Sequence, residues 1–214
     1  MSERMRRMVM ENPLLAILRG VDDSILIDYT EAIVEGGVAF FEVALNTDGA
    51  LEQIKRLKAH FGDRILVGAG TAITVEKARS AVEAGAEFLL APSTDEDVLA
   101  FCQKEGIEML PGALTPSDVS LCLRYGFDTI KLFPAADMPM SYAKHLKGPF
   151  SDTEYVAIGG VNSENMTEFI RNGYIGVGLG SNILPKDAVA ARDWKRASEY
   201  VKSLTDQLKN VKKN

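Results

Sequence analysis

The 214-residue sequence is poor in the residues that hold metals or build disulfide frameworks: two cysteines, Cys102 and Cys122, and two histidines, His60 and His145. The cysteines fall in helix-like segments and form no Cys-x-x-Cys pair. Buried free thiols in a reducing cytosol are therefore expected, and neither a metal nor a cofactor. No apolar run approaches the ~18 residues of a membrane span. The start, "MSERMRRMVMENP", is broken by Arg6, Arg7 and Glu11 and has no Ala-x-Ala site, so it reads as a short helix over part of the core rather than a signal peptide. A positive surplus is missing too. The net charge of −6 gives no reason to expect nucleic acid or an anionic membrane as partner. It does not exclude a small anion held by local dipoles. With free thiols pointing to a reducing compartment, a globular cytoplasmic protein is expected.

What the chain does have is alternation. Short β-rich runs at 14–18, 39–43, 65–67, 88–90, 108–110, 129–132, 155–158 and 176–179 alternate with helical patterns. Those patterns cover 24–35, 49–61, 75–84, 95–105, 116–124, 141–146, 163–172 and 190–209. Thr74, Thr115 and Ser163 stand where helix N-caps belong, and Pro116 suits a first helical position. Gly36, Gly85, Gly106, Gly126 and Gly173 follow helical runs, where a left-handed residue commonly ends the helix. The tail "KNVKKN" reads as a frayed end. Alternating strands and helices predict parallel pairing with right-handed crossovers. Eight such units predict a single-domain α/β fold over 1–214, a (β/α)8 TIM barrel. An open doubly wound sheet is the competing fold, but "ILRGVDD" lacks its Gly-x-Gly-x-x-Gly fingerprint.

Barrel chemistry collects at the C-terminal ends of the strands. Two ionisable groups lie inside otherwise apolar strands, Glu42 in "AFFEVAL" and Lys131 in "TIKLFP". Each would cost several kcal/mol if buried charged and alone. On neighbouring rungs they could stabilise each other as a structural ion pair. The sharper reading is a nucleophile: desolvation disfavours the ammonium, and a neutral lysine attacks a ketone to form an imine. Glu42 would then carry protons as general acid and base. At the last two strand ends, Gly159-Gly160 and Gly178-x-Gly180-Ser181 expose backbone N–H groups where barrels often bind phosphate. Arg19 can pair with a phosphate or a carboxylate. Asn46, Thr71, Pro92, Phe133 and Ile158 stand at or beside the other strand ends.

Several of these segments occur together and in order: "AILRG", "GGVAFFEVALNT", "VGAGT", "LPGALTPSD", "IKLFPA", "LKGPF", "IGGVNSEN" and "GLGS". In that arrangement the chain resembles the 2-keto-3-deoxy-6-phosphogluconate / 4-hydroxy-2-oxoglutarate aldolase family of class I barrel enzymes. The resemblance implies Lys131 as the Schiff-base lysine and Glu42 as general acid/base. It implies Thr71 at the keto-acid carboxylate, with Arg19 and Asn46 as further candidates there. Gly159, Gly160, Gly180 and Ser181 would receive phosphate, and Pro92, Phe133 and Ile158 would line the pocket. It further implies a homotrimer that needs no metal. Asn46 replaces an arginine of the phosphogluconate pattern, and Ile158 replaces a threonine. Both departures are similar to 2-keto-3-deoxy-6-phosphogalactonate aldolases, while "LKGPF" leans towards the phosphogluconate members. The expected reaction is cleavage of such a phosphosugar acid to pyruvate and glyceraldehyde 3-phosphate, with 4-hydroxy-2-oxoglutarate as a further substrate. An isomerase or synthase of another phosphorylated substrate, or a non-catalytic sugar-phosphate binder, are the alternatives.

Overall fold

A computed structural model describes residues 2–212 of the chain. Helix α1 (Ser2–Glu11) precedes β1 (Leu14–Leu18), α2 (Leu26–Glu35), β2 (Phe40–Ala44), α3 (Ala50–Phe61), β3 (Leu66–Gly70) and α4 (Val75–Glu83). Then come β4 (Leu89–Leu90), α5 (Glu96–Glu105), β5 (Met109–Leu110), β6 (Gly112–Ala113), α6 (Pro116–Arg124) and β7 (Thr129–Leu132). The chain ends with α7 (Tyr142–Lys147), β8 (Glu154–Ile158), α8 (Met166–Arg171), β9 (Gly176–Leu179), α9 (Lys186–Ala191) and α10 (Trp194–Lys212). Among the described residues, no helix is long and apolar enough to cross a membrane.

Every strand pairing is parallel, in the order β5-β4-β3-β2-β1-β9-β8-β7-β6. Among the described residues, nine segments replace the expected eight because Pro111 splits one stave. Proline has no N–H to give to a ladder, so among the described residues β5 pairs with β4 alone and β6 with β7 alone. The Pro111 carbonyl still accepts from the Lys131 N–H at 2.9 Å, which closes the ring. The result is the (β/α)8 barrel.

Side chains alternate across the wall. Ala16, Phe41, Val43, Val67, Leu89, Ile130, Tyr155 and Val177 face the helices. Leu15, Phe40, Phe88, Leu90, Leu110 and Val156 fill the interior with Met5, Met8 and Val9 of α1. A Cβ on Gly176, at the start of β9, would come within 2.6 Å of Val9 Cγ1. So the expected N-terminal helix exists and closes the end of the barrel where strands begin. Small residues make room for large ones: a Cβ on Gly68 would lie 2.3 Å from the buried Phe88 ring. That ring, packed 4.6 Å from Phe40, has nowhere to go. Gly68→Ala is expected to cost about 1–3 kcal/mol by overpacking. It would be read as a lower urea midpoint at unchanged m-value.

Some local expectations need correction. Thr74 and Thr115 cap their helices through the N–H groups of Lys77 and Asp118, and Asp118 completes a capping box. Ser163 does not cap: α8 starts at Met166, because Asn162 Oδ1 takes the N–H groups of Glu164 and Asn165 and holds that stretch as a turn. Gly36 is right-handed, and the left-handed residue is Gly37. The last helix is two, broken where Arg192 adopts φ +53 and Asp193 accepts from the Arg196 N–H. The tail is helical through Lys212; Lys213 and Asn214 lie outside the described residues.

Candidate active site

Strand alternation sends Glu42 of "FFEVA" and Lys131 of "TIKL" to the lumen side of their strands. Phe41, Val43, Ile130 and Leu132 pack outward, so Glu42 and Lys131 must point inward. They are buried, with 1% and 4% of their surface exposed. They do not sit on neighbouring rungs. β2 and β7 are separated by β1, β9 and β8 on one side and by β3, β4 and the split stave on the other. The pair therefore faces across the barrel. Neither forms a direct ion pair among the described residues, which removes the simple structural salt bridge.

Burial dominates both titrations. Desolvation pushes Glu42 above the ordinary 4.5, opposed by the positive charges of Lys131 and Arg19. Desolvation pulls Lys131 below the ordinary 10.5; Glu42 opposes this and Arg19 adds to it. Both groups thus move towards neutrality and towards physiological pH. Glu42 Oε2 has no hydrogen-bond partner among the described residues. Its other oxygen occupies space that only a glycine can leave, since a Cβ on Gly70 would lie 1.6 Å from Oε1. Lys131 Nζ stands 5.1 Å from the centroid of the Phe133 ring.

Thr71 directly follows Gly70 and is held at φ +62, a strained conformation for a β-branched residue. Pro92 packs on Gly112, the ladder partner of Lys131: a Cβ there would lie 2.3 Å from the Pro92 carbonyl carbon. Arg19, Phe133, Ile158, Gly159, Gly160, Gly180 and Ser181 meet around one open cavity of about 510 Å³. Asn46 is elsewhere. It lines a second recess of about 520 Å³ with Thr47, Asp48, Asp22 and Gln53, and shares only Arg19 with the first.

The cavity also has walls that sequence reading gave no role: Ile17, Val161, Asn162 and Asn182. Ile17 was legible as an inward residue of β1. The two asparagines stand in loops, where no periodicity marks direction. The arrangement offers a desolvated amine, a carboxyl group with a free oxygen, and a glycine-lined pocket beside an arginine. That set can capture a ketone and move protons while an anionic tail sits at the mouth.

Comparison with known proteins agrees with this chemistry. The family model for KDPG and KHG aldolase, the two substrate types abbreviated, matches residues 5–200. A 2-dehydro-3-deoxy-6-phosphogalactonate aldolase from Escherichia coli K12 is 28% identical, over 92% of this chain and 96% of its own length. A 2-dehydro-3-deoxy-phosphogluconate aldolase from Pseudoalteromonas atlantica is 31% identical, over 90% of this chain and 89% of its own. Among solved structures, a KDPG aldolase from Legionella pneumophila, with pyruvate captured at low pH as a covalent carbinolamine, superposes with a TM-score of 0.85. It is 30% identical, and the match covers 93% of this chain and 97% of that one.

Proposed function

The chain belongs to the family of KDPG and KHG aldolases, and from that premise we propose that it cleaves a 2-keto-3-deoxy-6-phosphosugar acid through an imine on Lys131. Membership makes it an aldolase and hence a lyase. The observation that carries the residue assignment is the buried, unbridged pair of Lys131 and Glu42 facing one lumen.

The neutral Lys131 amine adds to the C2 ketone to give a carbinolamine, then loses water to an iminium. Glu42 takes the proton of the C4 hydroxyl. The C3–C4 bond breaks, and its electrons enter the iminium as an enamine while glyceraldehyde 3-phosphate departs. Protonation at C3 by Glu42 and hydrolysis release pyruvate and restore the amine. One carboxyl group acting as base and then as acid works best with a pKa lifted towards working pH, the direction burial gives it. Thr71 is assigned to the keto-acid carboxylate, with Arg19 as a further candidate and Asn46, in the neighbouring recess that shares Arg19, as a third. Gly159, Gly160, Gly180 and Ser181 are assigned to the phosphate, and Pro92, Phe133 and Ile158 to the pocket wall. The 4-hydroxy-2-oxoglutarate reaction, giving pyruvate and glyoxylate, belongs to the same proposal, as do a homotrimeric assembly and a cytoplasmic location.

The galactonate-type epimer is the preferred substrate in this reading. Ile158 offers no hydroxyl to a sugar oxygen near the cleaved bond, and its side chain fills the lumen beside Gly178. The test is pyruvate release from the two C4 epimers side by side, coupled to lactate dehydrogenase, with pyruvate–borohydride trapping read by peptide mass. Faster turnover of the galactonate epimer and a stable adduct on Lys131 are expected. No adduct on folded protein would sink the imine mechanism. Equal or reversed preference would sink the epimer assignment alone.

A further inference from the structure

We propose that Asn182 and Asn165 are positioning residues of the anion pocket, turning backbone carbonyls away from it so that a phosphate meets only donors. This rests on the reading of the Gly159–Gly160 and Gly180–Ser181 loops as the phosphate site.

The β8–α8 loop is fastened at three consecutive carbonyls by three different donors. Gly159 O accepts from the Ala136 N–H at 3.0 Å. Gly160 O accepts from Asn165 Nδ2 at 3.1 Å. Val161 O accepts from Asn182 Nδ2 at 2.9 Å. Asn182 follows Ser181, so its bond also joins the two glycine loops that line the cavity. Asn165 is itself locked, since its Oδ1 accepts from the Asn162 N–H at 2.9 Å and its N–H donates to Asn162 Oδ1 at 3.1 Å.

The donors are left over. The N–H groups of Gly160, Val161, Ser181 and Asn182 donate to no acceptor among the described residues. Gly159 and Gly160 lie at φ +93 and +72, where glycine turns its peptide planes with little resistance. A loop that free could turn a carbonyl oxygen towards a dianion, replacing attraction with repulsion. Tying the carbonyls of residues 159–161 removes that option before the ligand arrives, and preorganised donors need no rearrangement on binding. The amide orientation of both asparagines follows from their partners, because a carbonyl can only accept.

The test uses Asn182→Leu, which keeps the volume and removes the donor, together with Asn165→Ala and Asn182→Gln. Three quantities are measured: KM for the phosphorylated substrate, inhibition by inorganic phosphate, and the rate of pyruvate trapping by borohydride. Asn182→Leu and Asn165→Ala should raise KM and the phosphate inhibition constant at least tenfold. Trapping of pyruvate, which has no phosphate, should change by less than about threefold. Asn182→Gln should recover part of the affinity. A residue that only stabilised the fold would move trapping and KM together, and that pattern would overturn the proposal. So would unchanged KM in both donor-deleted variants of an enzyme that phosphate inhibits. If the wild-type protein turns over its substrate without any inhibition by phosphate, the pocket assignment itself fails and this inference falls with it.

Discussion

Lys131→Met is expected to abolish the borohydride-trapped pyruvate adduct and to lower kcat/KM for the phosphosugar acid by about 10⁴-fold or more. It is also expected to leave the fold at least as stable as before. A buried lysine with a lowered pKa is bound to protons more weakly in the folded state than in the unfolded chain. Stability therefore rises with pH between the folded value and the ordinary 10.5, and the penalty is complete at pH values below that window. Methionine has a similar length and carries no charge. Removing one member of a buried pair commonly strands the other, but Glu42 has an escape, because it can protonate. Its folded pKa is already raised above 4.5 and would rise further without Lys131. A raised carboxyl pKa contributes stability at low pH that is lost as pH rises through the folded value. Both signs agree: the melting temperature of Lys131→Met should exceed that of the wild type most at acidic pH, with the gap closing towards alkaline pH. A variant that loses activity only because it unfolds would show the opposite ordering. That result would return Lys131 to the role of a structural cation.

This separation of chemistry from stability explains why the site stood out in the sequence. A carboxylate and an ammonium inside apolar strands violate the pattern that specifies the strands, and such violations concentrate where function demands them. The bounds of β1, β7 and β9 coincide with the expected ones because short apolar runs with glycine or proline nearby on each side mark them. The split at Pro111 was half legible. The proline marked an end, but the resumption at Gly112 depends on its pairing with Lys131, a contact distant along the chain. The break between α9 and α10 carries neither glycine nor proline; it rests on a left-handed arginine. The opposition of Glu42 and Lys131 across the lumen follows from strand order in the closed ring, which no local pattern contains. The fit of Gly70 against Glu42 is likewise a property of the β2–β3 neighbours. Asn182 and Asn165 were invisible as site residues for the same reason: a loop amide acquires meaning only from the carbonyl it reaches.

Glu42→Gln should separate the two halves of the reaction. Glutamine preserves the shape beside Gly70 but cannot take the C4 hydroxyl proton or return one to the enamine. Cleavage should fall by about 10²–10⁴-fold, the usual contribution of a positioned acid–base group. Imine formation should survive, because the nucleophile is untouched. Its pH dependence gives the sharper check. Glu42 is the group whose charge holds the Lys131 pKa up, against desolvation and the positive charge of Arg19, which both hold it down. Without the carboxylate, the inflection in trapping rate against pH must move to lower pH, so a larger neutral fraction is present at pH 7. Trapping at pH 7 should be no slower than in the wild type even as pyruvate release collapses. Deuterium uptake into the methyl group of pyruvate should collapse with it, since that exchange needs the same proton carrier. If the inflection moved up instead, the field linking the two residues across the barrel would have the wrong sign. If deuterium uptake persisted, another group would be the acid and base, and Glu42 would be left as the counter-charge that keeps Lys131 from being neutral too early.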